Sequence, residues 1–171
     1  LIFHPYLTGE RAPLWNEDAR ASFFGLGLHH QKKHLVRAVL EGVIYNLFSV
    51  LQALEEVTGT IPNKMMATGG FARSSLWRQM MADIFDHKVI VPESYESSCL
   101  GAAVLGFYAL RIIRSFDVVG EMVGAVHEHE PVKEHAAVYR QLLLIYMSLS
   151  RKLANDYREI AQFQRNVIKN A

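Results

Sequence analysis

Residues 67 to 83 read ATGGFARSSLWRQMMAD. A short apolar run ends in Gly69 and Gly70, and a helical pattern follows at once with no acid in its first turn. Such a turn leaves backbone N–H groups and the positive end of a helix dipole open to an anion, with no Cβ to hold a ligand away. Helices ordinarily place Asp or Glu there, each worth about 0.3–1 kcal/mol. Here the entrance carries Arg73, Ser74, Ser75 and, later, Arg78, a set that suits an incoming anion or the edge of a nucleotide. The plain alternative is structural: Gly70 permits a tight turn and Ser74 caps the helix. The spacing matches neither the G-x-x-x-x-G-K-[ST] phosphate loop nor the G-x-G-x-x-G dinucleotide fingerprint.

Other residues carry weaker chemistry. The HEHE run at 127 to 130 lacks the H-E-x-x-H spacing that sets two metal ligands on one helical face, and is expected to be a solvated loop. His29, His30 and His34 cluster at a helix entrance and read as surface histidines. Glu41 lies four residues after Arg37, the spacing of an intrahelical ion pair. Glu10 and Arg11 are expected to pair and fix their loop, Asp83 and Asp86 to face water, and Cys99 to be a small packed residue. No residue is assigned a catalytic or metal-binding role.

The elements that must position the glycine turn are legible from periodicity. Leu35, Val36, Val39, Leu40, Val43, Ile44, Leu47, Val50, Leu51, Leu54 and Val57 recur at helical spacing and predict a helix ending near Gly59. After a turn at 58 to 63, residues 64 to 68 predict a strand that stops at the glycine pair. Leu76, Trp77, Met80, Met81, Ile84 and Phe85 form the stripe of the next helix, and residues 88 to 92 predict a second strand stopped by Pro92. Residues 97 to 110 predict a tightly packed helix with Gly101, Ala102, Ala103 and Gly106. Pro131 opens a long last helix reaching about Phe163. Residues 12 to 28 mix turn formers and aromatics, as an ordered loop or short strands do. The order predicts an α/β layer with a small, largely parallel sheet and the last helix packed outside it.

Composition bounds the partners. The 171 residues include 18 basic and 17 acidic ones, a formal net charge of +1, so no overall field favours nucleic acid or an anionic membrane. The longest uncharged stretch has 14 residues, short of the roughly 20 that span a bilayer as helix. Cys99 is the only cysteine, which fits a reducing compartment and a cytoplasmic location. The chain begins at Leu1 with an apolar run that lacks the charged start of a signal peptide, and is expected to be part of a longer protein. One domain is the default for this length.

Residues 67 to 106, ATGGFARSSLWRQMMADIFDHKVIVPESYESSCLGAAVLG, resemble the adenosine-motif region of FGGY-type carbohydrate kinases, within the actin-like ATPase (ribonuclease H-like) superfamily. HPYLTGERAPLWNEDARASFFGLGL, followed by HLVRAVLEGVIYNL, resembles the other carboxyl-terminal signature of that family, so the resemblance covers residues 1 to 110. GFARSSLWRQMMADIF with VPESYESSCLGA is most similar to the branch that phosphorylates gluconate. The resemblance implies an α/β, helix-rich fold with a small sheet. It also implies that residues 1 to 171 form the carboxyl-terminal, ATP-side domain, incomplete at its amino-terminal end. Gly69, Gly70 and Ser74 would lie against the adenosine of ATP, with Ala72 and Arg73 lining the same turn. Ser74 stands where some relatives have Asn. The catalytic Asp, the Mg²⁺ site and the sugar contacts would precede this chain, which contains no D-x-G-T stretch. Implied partners are D-gluconate, with a pentulose such as xylulose as the alternative, and a second copy of the protein as a candidate homo-oligomer. A non-catalytic nucleotide-binding module of the actin-like kind is the other reading.

Overall fold

A computed structural model describes residues 1–62, 64–92 and 96–169. Asn63, which ends the predicted turn, and Glu93, Ser94 and Tyr95 of the VPESYESSCLGA stretch lie outside the described residues. The chain divides into two compact units, one made of Leu1–Ile61 with Ala137–Ala171 and one of Pro62–Ala136.

The first unit is built on the apolar opening run. Strand β1 (Ile2–His4) pairs antiparallel with β2 (Ser22–Phe24), with Phe3 opposite Phe23. Helix α1 (Lys32–Thr58) follows and ends on Gly59, whose φ of 65° is the left-handed cap that glycine adopts freely. The periodic stripe predicted the helix but not which side of it is covered. Its buried residues are Ala38, Glu41, Gly42, Ile44 and Tyr45, whereas Val36, Leu47, Leu54 and Val57 of the stripe are exposed. The reason is at Gly42: a Cβ there would stand 2.2 Å from the carbonyl oxygen of Phe3. Only a bare helix surface lets β1 come so close. By length and composition alone α1 would pass for a membrane span; its buried Glu41 and its contact with β1 make it the core helix of this unit.

The predicted Arg37–Glu41 pair is present at 2.8 Å and extends to a third group. Tyr139 donates its hydroxyl to Glu41 at 2.8 Å and accepts from Arg37 at 2.7 Å; burial, and then the Glu41 charge, push its pKa up to about 12. Glu10 departs from expectation. Its buried carboxylate accepts from the backbone N–H groups of Ala12 (2.9 Å) and Leu14 (2.8 Å) and from the Asn46 amide (3.3 Å). It therefore fixes the 10 to 14 loop through main chain, while Arg11 stays exposed.

The last helix is two: α5 (Lys133–Lys152) and α6 (Ala154–Lys169), interrupted at Leu153. Residues 137–171 cluster with the first 61. Tyr146 and Tyr157 explain this. His4, fully buried, gives its Nε2–H to the Tyr146 carbonyl (3.2 Å) and accepts the Tyr157 hydroxyl at Nδ1 (3.0 Å), and Tyr6 bonds both Tyr146 (3.2 Å) and Ser150 (3.1 Å) through hydroxyls. Polar groups buried this deeply are paired in folded proteins, and here the chain itself supplies the partners.

The second unit holds a three-stranded sheet of order β3–β4–β5, with β3 (Met65–Met66) parallel to β4 (Val89–Pro92) and β5 (Ala125–His129) antiparallel to it. The sheet is mixed rather than largely parallel because the HEHE run is not a loop. Its residues 127 to 129 form the edge strand, where Glu128 and Glu130 both pair with Lys88 beside β4. Helix α2 (Ser75–Phe85) makes the parallel crossover. Asp83 on α2 does not face water; it is 3% exposed. One oxygen accepts from Gln79 (2.9 Å) and the Val132 N–H (2.9 Å), the other from His135 (3.0 Å), which anchors the chain leaving β5. Asp86 is exposed, as expected, in the left-handed cap of α2.

Helix α3 (Ser97–Ala109) is apolar nearly all round, but Val104 is its one buried residue, and Cys99 is exposed. Its Leu100, Val104 and Leu105 line an apolar cavity of about 320 Å³ with Phe116 and with Val119 of α4 (Val118–Met122). Small residues alone do not ensure tight packing: among the described residues the neighbours of α3 cover only Val104 fully.

Two stability measurements test this account. Burial holds the His4 pKa below 6.5, with the Tyr146 carbonyl opposing. The unfolded chain then binds more protons than the folded one between the folded pKa and about 6.5, so stability is full above that value and is lost as pH falls through the window. Urea midpoints measured from pH 7.5 to 5 should drop, and His4→Asn, though less stable overall, should show a shallower slope. Gly42→Ala should lower unfolding free energy by about 3 kcal/mol, because neither the Phe3 carbonyl nor α1 can withdraw; a loss within 0.5 kcal/mol, on the order of a surface change, would contradict the packing described.

Candidate functional site

The parallel pairing of β3 with β4 sets the geometry at the glycine turn. Met65 lies opposite Val89 and Met66 opposite Ile90, and the Ala67 N–H continues the ladder to the Ile90 carbonyl at 2.9 Å. Both strands therefore end in the same direction, and the segments that follow them, Thr68 onward and α3, start side by side. The Ser97 hydroxyl donates to Thr68 Oγ1 at 3.0 Å across that gap.

Gly69 and Gly70 play different parts. Gly69 has φ 92° and ψ −177°, a region that is essentially glycine's alone. Gly70 is not left-handed, and a Cβ built on it would meet nothing within 4 Å. The fold needs a glycine at 69; it makes no such demand at 70. The open space over Gly70, and likewise over Gly69, is what a ligand approaching the main chain requires.

A four-residue 3-10 turn, Gly70–Arg73, stands between the glycines and α2, where the periodicity predicts an immediate helix. The Ala72 N–H bonds the Gly69 carbonyl (3.1 Å) and the Ser74 N–H that of Phe71 (3.0 Å). Ala72 is 0% exposed, main chain included, so it supports the turn from below rather than presenting a surface to a ligand. Ser74 is the N-cap of α2, its hydroxyl accepting the Trp77 N–H at 3.3 Å. That acceptor is already engaged, and the hydroxyl proton remains to donate. Neither the turn nor α2 has an acid in its first turn. Arg73 is exposed and reaches Glu96, the N-cap of α3, at 3.3 Å. Arg78 is buried. Sequence reading thus placed Gly69, Gly70, Ala72, Arg73 and Ser74 on one turn, and missed Thr68, Glu96 and Ser97 at its rim. Their only local signal is a polar pair at a helix start.

The remaining candidates have structural partners. His34 accepts the Gln31 N–H (3.0 Å) at the entrance of α1, and His129 meets the Gln79 side-chain oxygen (3.2 Å). Among the described residues no three His, Cys, Asp or Glu side chains converge as a metal site.

Residues 1–110 match the FGGY family of carbohydrate kinases, C-terminal domain. The gluconokinase of Bacillus licheniformis is 58% identical over 167 residues, covering 98% of this chain and 33% of the relative. Two solved structures from Lactobacillus acidophilus, one a gluconate kinase and one a ligand-bound xylulose kinase, each superpose with TM-score 0.84 at 38% identity, covering 94% of this chain and 32% of theirs. The chain spans about a third of the length of the curated relatives it matches. Its fold, helix-rich with small sheets, is that of part of an actin-like ATPase domain. On the match over residues 1–110 and the 58% identity, the chain belongs to the FGGY family of carbohydrate kinases, of which it carries the C-terminal domain.

Proposed function

We propose that this chain is the nucleotide-side lobe of a cytoplasmic kinase that passes the γ-phosphate of Mg-ATP to D-gluconate. The carrying observation is Gly70, a glycine that neither backbone conformation nor crowding by the fold explains, beside open space at the carboxyl ends of two parallel strands. That is where ligands bind in open parallel sheets. Adenosine would rest on the main chain of Gly69 and Gly70, with Arg73 and Ser74 lining the turn and Ala72 supporting it from beneath. Such a surface recognises a nucleoside by shape and by N–H donors, and its missing acid favours the phosphates. ATP supplies the transferable phosphoryl group when bound. This chain's residues hold it in place and exclude water from one side, which suits a reaction dominated by positioning and electrostatics. No Mg²⁺ ligand is assigned: among the described residues no group of three His, Cys, Asp or Glu side chains suits one.

Gluconate is preferred over xylulose on the 58% identity to a gluconokinase; the fold itself is equally like a structure of either name. Assaying the complete protein with ATP should give a gluconate kcat/KM at least about tenfold above that for xylulose, the discrimination a few well-placed hydroxyl contacts supply. Preference for xylulose would move the protein to the pentulose branch. Transfer to neither, with ATP still bound, would favour the non-catalytic module.

The two glycines give a sharper test of the nucleotide turn. Gly70→Ala should leave stability unchanged or raise it by about 0.4–1 kcal/mol, and Gly70→Val should weaken ATP binding without unfolding the chain. Gly69→Ala should cost on the order of 1–3 kcal/mol of stability. Titration calorimetry alongside thermal melts separates these effects, and unchanged ATP affinity in Gly70→Val would leave the pair a purely structural turn.

A further inference from the structure

Arg73 and Glu96 face each other across the candidate nucleotide turn, one ending the 3-10 turn and the other capping α3. Their contact is loose. It runs through one nitrogen, Nη2, at 3.3 Å, longer than the 2.7–2.9 Å or so of a strong charge-assisted bond and short of the two-pronged geometry that Arg makes with carboxylate or phosphate. The side chains are 64% and 67% exposed, where such pairs hold weakly. Among the described residues Glu96 is the one partner that Arg73 has. Beneath the pair, the Ser97 to Thr68 bond joins the same two segments through hydroxyls, so the rims stay tied when the ion pair opens.

Resting on the nucleotide reading above, we propose that Arg73 is the phosphate-positioning residue of the turn and that Glu96 holds it in the absence of nucleotide. The carboxylate is a monodentate stand-in for the polyphosphate. When a nucleoside di- or triphosphate binds, the guanidinium exchanges one carboxylate oxygen for two phosphate oxygens, and Glu96 releases it. The exchange breaks no covalent bond and leaves the net count of ion pairs unchanged, so its driving force is the second hydrogen bond and the higher charge of the phosphate.

The test is the affinity of the complete protein for ADP and for adenosine, by titration calorimetry, in four variants. Arg73→Gln should weaken ADP about tenfold and adenosine less than about twofold, since only the phosphates lose a bidentate partner. Arg73→Lys should recover only part of the loss. Glu96→Gln should tighten ADP by about two- to fourfold, because the competing anion is gone. A Glu96→Gln protein that binds ADP more weakly, or an Arg73→Gln protein that loses adenosine and ADP alike, would overturn the exchange and make the pair a scaffold. Gly70→Val separates the two levels. If it leaves both ligands unaffected, the nucleotide reading itself fails, whereas loss of both ligands with no effect at Arg73 or Glu96 rejects the exchange alone.

Discussion

Two pairs of residues in parallel register, Met65 with Val89 and Met66 with Ile90, hold the candidate site together. Parallel strands cannot be joined by a hairpin, so α2 must cross between them. The strand ends are then forced to the same edge, and whatever follows each strand is brought there too. The glycine turn and the start of α3, 27 residues apart in sequence between Gly70 and Ser97, become neighbours by this rule alone. Thr68 and Ser97, and Arg73 and Glu96, meet as a consequence. A slip of one residue would turn Met65 out of the core and separate both pairs.

The same logic of close approach governs the first unit. Gly42 strips α1 bare where the Phe3 carbonyl comes in, and the polar groups carried inward by β1 are satisfied by tyrosines from α5 and α6. Here polar burial and helix placement are one problem. Tyr146 and Tyr157 are amphipathic enough to fill core volume and to offer hydrogen bonds to His4 at the same time. Glu41 is treated likewise, with Arg37 and Tyr139 sharing its carboxylate. These are the residues that decide which face of α1 is inside.

How much of this the chain announces depends on whether the deciding partner is local. The extent of α1, the crossover helix and the stop at Pro92 are local matters of period and punctuation, and they were readable. The Arg37–Glu41 pair, four residues apart, was readable for the same reason. Strand β5 was not, because an edge strand of His and Glu gains its partner only from Lys88 and β4. Asp83 looked solvated on a helical wheel and is buried because the segment after β5 needs an acceptor. The break at Leu153 has no glycine or proline to mark it. At the site, sequence located five residues on one turn but could not tell that one glycine answers to backbone geometry and its neighbour to open space. Nor could it foresee Glu96, which only the parallel register delivers.

The charges along β5 have one more effect. Among the described residues that strand is an outer member of its sheet, and an outer strand exposes a row of amides to which any extended peptide can add. Glu128 and Glu130, bridged to Lys88, put anionic groups along this margin, so a stray strand laid against it would meet repulsion and lose the bridges. On the opposite margin β3 is two residues long, too brief a template for adventitious addition. The small sheet is thereby guarded against aggregation, on one flank by electrostatics and on the other by brevity.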